Sequence, residues 1–186
     1  LDLSKTACGW ERRSNNCLWE GKFFMASDIL LKIEPGVDGE SQIEGKAGWI
    51  DVMSYSLGAS NPSSVGSGSG SGAGKVDISS LSITKVMDKS TPILFLKCCS
   101  GKHFDKASLV VREAGDKPVE YLIYNFKQVY IDSISWGGAG GGGKPTESLS
   151  ISFAEVSIEY YPQKADGSLD SKVPAGWNVQ KNVAAA

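Results

Sequence analysis

One histidine, His103, occurs in 186 residues. That scarcity excludes a metal centre built from several imidazoles, and it leaves any Cys/His nucleophile pair dependent on Cys98 or Cys99. Long hydrophobic runs are missing as well. Nothing approaches the ~18 consecutive apolar residues that a spanning helix needs, so membrane insertion by a helix is not expected. Neither sign of charge dominates. With 19 basic and 21 acidic residues the formal net charge is −2, which gives a nucleic-acid backbone nothing to bind. Only four cysteines are present, and Cys98 and Cys99 are neighbours. Adjacent cysteines rarely bridge each other, because disulfide geometry would distort the peptide between them. A fold built in a reducing cytoplasm without disulfides is therefore expected.

The first 24 residues differ from the rest. They hold Cys8, Cys17, Trp10, Trp19 and two of the three arginines, with no periodicity and no apolar stretch of the kind a signal peptide needs. Glu20-Gly21-Lys22 back-translates to a purine-rich run just ahead of Met25, as a bacterial ribosome-binding site would. The expectation is that residues 1–24 are a non-native leader and that 25–186 form one domain. Peptides from residues 3–22 in protein taken from the native host would refute it.

What is present is β pattern. Ile29, Leu31 and Ile33 alternate with polar residues over Ser27–Glu34 and are followed by the turn Pro35-Gly36-Val37-Asp38-Gly39. Residues 48–57 read as one strand. Met53, Tyr55 and Leu57 lie on the face expected to enter the core, with Ser54 and Ser56 opposite. A glycine-serine run over residues 65–74 is too flexible and too polar to pack. Extended structure resumes over 75–86. Ser90-Thr91-Pro92 then offers a hydroxyl N-cap and an early proline for one helix, which Gly101 ends. Strands follow at 107–114, 119–133 and 147–161, and a short segment is expected at 176–179. The strand 119–133 is apolar on both faces, so both are buried or one meets another subunit. In 147–161 the apolar parity changes from Leu149, Ile151, Phe153 to Val156, Ile158, which predicts a bulge near Ala154-Glu155. Some eight short strands and one helix make a β-barrel or sandwich with a helical plug.

Catalytic chemistry is poorly served. Adjacent side chains diverge on a helix, so at most one of Cys98 and Cys99 could face His103, and a buried thiol beside a loop histidine is the plainer reading. Gly138 to Lys144 has the spacing of a phosphate-binding loop, but Pro145 stands where the metal-binding hydroxyl belongs. The run ending Gly74-Lys75-Val76 lacks both the first glycine and the hydroxyl. Glu40, Glu44, Asp51 and Asp88 form no close carboxylate constellation. No catalytic, cofactor or metal residue is assigned. Trp136, beside the second glycine run (Gly137 to Gly143), suits a sugar-binding platform or, as easily, an interface anchor.

Several fragments taken together resemble the haemolysin-coregulated protein (Hcp) family of type VI secretion. They include Asp28-Ile29-Leu30-Leu31-Lys32-Ile33, Trp49-Ile50-Asp51-Val52, and Thr84-Lys85-Val86-Met87-Asp88-Lys89-Ser90-Thr91-Pro92. Val111-Arg112-Glu113-Ala114-Gly115, Glu159-Tyr160-Tyr161-Pro162-Gln163 and Gly176-Trp177-Asn178 continue the match in order and spacing. Where the family often carries Trp-Ser-Trp-Gly, this chain has Tyr55-Ser56-Leu57-Gly58.

The resemblance implies a mainly β fold, two packed antiparallel sheets forming a barrel with one helix on its side, and a hexameric ring. It implies a non-enzymatic tube protein assembled in the bacterial cytoplasm and then secreted. Partners would be further copies of itself, effectors in the lumen, and sheath and spike proteins. Expected site residues are Ser54 and Ser56 on the lumen wall. Ser60, Ser64, Gly68, Gly72 and Gly74 would lie in a ring-stacking loop, and Tyr121, Ile123 and Trp136 at the subunit interface. The alternatives are a phage-like tail-tube protein, a monomeric carbohydrate-binding β-sandwich with an exposed aromatic patch, and a hydrolase with a pocket around Cys98 or a serine.

Overall fold

The computed structural model describes residues 27–61, 75–113, 118–164 and 167–185. Along these the chain runs β1 (Ser27–Glu34), β2 (Ile50–Val52), β3 (Ser54–Ser56), β4 (Ala59–Ser60), β5 (Asp77–Ile78) and β6 (Leu81–Val86). Then come α1 (Thr91–Ser100), β7 (Phe104–Glu113), β8 (Val119–Gly137), β9 (Thr146–Tyr160), β10 (Val173–Asn178) and β11 (Val183–Ala184). The expected N-terminal leader and its boundary at Met25 lie outside the described residues.

Antiparallel ladders join β1 to β7, β7 to β8, β8 to β9, β9 to β6 and β6 to β3. β2 lies one residue from β3 and pairs back onto β1. The circuit therefore closes into a barrel, which removes most of the sheet edges that a single open sheet would expose. Beyond it, β10 pairs with the C-terminal part of β9 and β11 with β10, making a small flap. The core fills the barrel with Leu31, Ile33, Ile50, Leu109, Phe126 and Ile151 among others.

Three details differ from the sequence expectation. Residues 48–57 are not one strand, because the pleat breaks at Met53 and the inward set changes from Ile50 and Val52 to Tyr55. Met53, expected in the core, is 60% exposed, whereas Tyr55 and Leu57 are half-buried against it. The break has a structural cause: one short segment must pair with β1 over its first half and with β6 over its second, and Met53 N–H donates to Thr84 O at the handover.

The parity change in β9 is also real but is not a bulge. Lys127 pairs with Glu155 and Val129 with Phe153, so the β8–β9 register is unbroken across Ala154. β8 changes parity at the same level, from Phe126 to Val129, and so does β7, from Phe104 to Ala107. Three paired strands bend together there, with Gln128 at φ 49°. The register shifts lie elsewhere, leaving Tyr121 unmatched opposite Val111/Arg112 and Asp132 unmatched between Ile131 and Ser133.

Helix α1 begins where Pro92 is tolerated and ends at Gly101, whose φ of 64° is the left-handed stop. Ser90 does not cap it through its hydroxyl. Asp88 instead fixes the turn ahead of the helix: its carboxylate accepts from Ser90 N–H at 2.9 Å and from the Ser90 hydroxyl.

Candidate functional site

No described group of three or more His, Cys, Asp and Glu side chains is placed to hold a metal ion. No described helix is long and apolar enough to cross a membrane. Cys98 directs its thiol toward Asp132 O, while His103 lies against the Tyr130 ring at 5.4 Å. The thiol and the imidazole are thus each engaged with other groups. What remains as functional surface is wall, edge and cleft.

The wall first. Ser54 and Ser56 are exposed on β3 and pair with Thr84 and Ser82 of β6. Four small hydroxyl side chains in facing pairs make a smooth polar patch. Beneath it, the Tyr55 ring meets Tyr124 edge-on at 5.8 Å. Burial, followed by the neighbouring Tyr124 hydroxyl, pushes the Tyr55 phenol well above its usual range, so it stays neutral.

The first half of β8, which carries Tyr121 and Ile123, is half-buried along its length. Tyr121 packs partly on the core and, as the unmatched residue of the β7–β8 ladder, also accepts from Tyr161 N–H at 2.8 Å through its carbonyl. Ser60 is exposed on β4. Ser64, Gly68, Gly72 and Gly74 lie outside the described residues.

Trp136 stands near the end of β8, 46% exposed yet firmly held. Its indole N–H donates to Glu147 Oε2 at 2.8 Å and its ring lies 5.4 Å from Phe95 of α1. Glu147 belongs to a buried ionic cluster that the sequence reading did not pick out. Lys85 and Glu147 are both 0% exposed and sit opposite each other in the β6–β9 ladder. Lys85 Nζ contacts Asp88 at 2.8 Å and the Thr91 hydroxyl at 3.2 Å. Glu147 Oε1 lies 3.3 Å from the same ammonium, an ion pair whose angle falls short of a hydrogen bond. A signal was available: Lys85 is in phase with Leu81 and Ile83, and Glu147 with Leu149 and Ile151. Two opposite charges on core-facing phases of two strands predict a buried pair.

A cleft of about 380 Å³ opens at the other end of β8 and β9. There β6 has ended and β10 has taken over the edge of β9, while the β4–β5 hairpin stands opposite. Leu57, Ile78, Val156, Ile158 and Trp177 line it. The Trp177 indole N–H is buried and has no acceptor among the described residues.

The family described as "Type VI secretion system effector, Hcp" matches residues 30–160. This chain belongs to the Hcp family. Protein hcp1 of Pseudomonas aeruginosa is 47% identical over 163 residues, covering 87% of this chain and 100% of that protein. A solved type six secretion system protein superposes with a TM-score of 0.80 at 34% identity, over 86% of this chain and all of the other. Hcp1 from Salmonella typhimurium gives 0.71 at 34% identity, over 87% of this chain and all of the other. The antiparallel barrel with one flanking helix is thus the Hcp fold, as the sequence resemblance implied. It is a type VI secretion protein.

Proposed function

We propose that this Hcp chain is the structural, non-enzymatic subunit of the type VI inner tube. It assembles into homohexameric rings that stack, and it is built in the cytoplasm before being expelled. Likeness to Protein hcp1 along that protein's full length carries this reading, with the closed barrel as its physical basis. Ser54 and Ser56 are assigned to the lumen wall, where short hydroxyls suit effectors that must bind weakly enough to leave. Tyr121, Ile123 and Trp136 are assigned to subunit contacts, and the loop holding Ser60, Ser64, Gly68, Gly72 and Gly74 to contact between rings. Sheath and spike proteins are the expected partners outside the ring.

Light scattering after size exclusion, joined to negative-stain imaging, tests the class. Rings of six subunits are expected. A clean monomer at micromolar concentration and physiological salt overturns the proposal. Deleting residues 63–72 is expected to leave the ring and impair stacking; unchanged tube assembly and secretion would remove that loop's role. Replacing Ser56 by Gln is expected to preserve rings and weaken retention of at least one effector. If retention of every effector is unchanged, Ser56 is not on the lumen wall.

A further inference from the structure

The hydroxyl pairs that join β3 to β6 continue across two more strands. Thr84 and Ser82 pair onward with Ser148 and Ser150 of β9, and these with Ser135 and Ser133 of β8. Directly opposed residues of antiparallel strands share a face, so two rows of small hydroxyls cross four strands on the outer side of the barrel. Neither row carries a charge.

Asp132 stands beside these rows. It is the unmatched residue of β8 between Ile131 and Ser133, and it is exposed. The Ser152 hydroxyl donates to its Oδ1 at 2.7 Å and the Ser80 hydroxyl to its Oδ2 at 3.0 Å. Ser152 follows Ser150 by two residues on β9, hence on the same face as the rows. Two hydroxyl donors fix the carboxylate but neutralise none of its charge. No cation among the described residues pairs with it.

Tyr130 lies alongside. It pairs directly with Ser152, two residues or about 7 Å along β8 from Asp132, and its ring is 39% exposed. His103 covers part of that ring, the two ring centres lying 5.4 Å apart, and leaves the rest open. A carboxylate held in one orientation beside an exposed phenol ring suits a lysine ammonium or an arginine guanidinium. The carboxylate supplies charge-assisted hydrogen bonds, and the ring supplies its π face. The surrounding hydroxyls offer acceptors for the remaining N–H groups.

We propose that Asp132, with Tyr130 beside it, is a specificity-determining residue of the wall, favouring passengers that present lysine or arginine side chains. The proposal rests on the lumen reading of Ser54 and Ser56 and adds which chemistry the wall selects. On that reading the carboxylate recurs once per subunit around a ring. A single exposed ion pair is weak. Several of them hold a basic passenger by avidity while each contact still releases readily.

The test uses rings of the full chain and a fluorescein-labelled tetralysine peptide, with tetraglutamate as its acidic counterpart. Fluorescence anisotropy is expected to show tetralysine bound by wild-type rings and about two- to fivefold more weakly by Asp132→Asn, the difference shrinking as salt rises. Glu44→Gln removes the same charge from the exposed loop between β1 and β2 and is expected to leave binding unchanged. Asp132→Lys is expected to lose tetralysine and gain tetraglutamate. In wild type, a water-soluble carbodiimide should join the peptide's amines to Asp132, as located by mass spectrometry after digestion; this readout needs no variant to fold. Equal binding by wild type and Asp132→Asn, equal losses in Asp132→Asn and Glu44→Gln, or coupling that avoids Asp132 overturns the selection while leaving the tube reading intact. A monomeric wild type overturns both.

Discussion

Lys85, Asp88 and Glu147 place one positive and two negative charges where water scarcely reaches. Removing one partner of a buried pair strands the other. Lys85→Met is therefore expected to cost about 3–5 kcal/mol in chemical denaturation, more than an ordinary surface change. Adding Glu147→Gln should recover part of that loss, because the amide oxygen still accepts from Trp136 with no charge left unpaired on that side. A double variant no more stable than the single one would show that the pair is not coupled. Trp136→Phe removes the indole donor, and a loss of about 1.5–3 kcal/mol is expected for a hydrogen bond to a carboxylate. At this scale the sequence was readable only in part. Phase placed Ile29, Leu31 and Ile33 correctly, and the same phase marked Lys85 and Glu147. Trp177 was visible as a residue, but its buried N–H depends on β10, β4 and β5 meeting across distant sequence.

Among elements, the break at Met53 is the clearest case of tertiary pairing overriding a local pattern. Alternation alone put Met53 inward; the need to pair with β1 and then β6 turned it out. Met53→Ala is expected to change stability by no more than about 0.5 kcal/mol, whereas Ile50→Ala should cost about 2–5 kcal/mol. Equal costs would restore the unbroken strand. The flap is held differently, through side-chain pairs on its seam. Lys127 and Asn178 hold Glu155 below the usual carboxylate range, while Lys172 and Tyr161 do the same for Glu159. A depressed folded pKa means that the contribution is present above the ordinary value of 4.5 and is lost as pH falls through the folded value. Acid should therefore loosen β10 before the barrel opens. Hydrogen exchange at the β9–β10 ladder between pH 5 and pH 3, about the range over which such carboxylates titrate, should rise more in wild type than in Glu159→Gln. A flat profile in wild type would count against the seam. The boundaries of β1, α1 and β9 were legible because turn residues and caps mark them. The joint bend through β7, β8 and β9 was legible only as a parity change in one strand, since its neighbours cannot be known from that strand alone.

For the whole molecule, composition pointed to a β fold with one helix, and the ordered fragments from Asp28 to Asn178 pointed to the family. Closure of the barrel was implied by the family resemblance, whereas the strand pattern alone left barrel and sandwich open, because closure depends on a seven-residue segment serving two neighbours. That closure also ranks the molecule's response to force. Along the barrel circuit β1, β6, β7, β8 and β9 are each hydrogen-bonded on both sides, so a pull on any of them is shared around the hoop. Among the described residues the β9–β10 ladder is the one strand pairing that joins the flap to the hoop. Load entering through the C-terminal end therefore meets that seam first, and stretching the chain between its ends should release β10 and β11 as an early, low-force step while the hoop stays whole. On the tube reading proposed above, expulsion would load a shell that bears the thrust and a separate, weaker tab that yields without opening it.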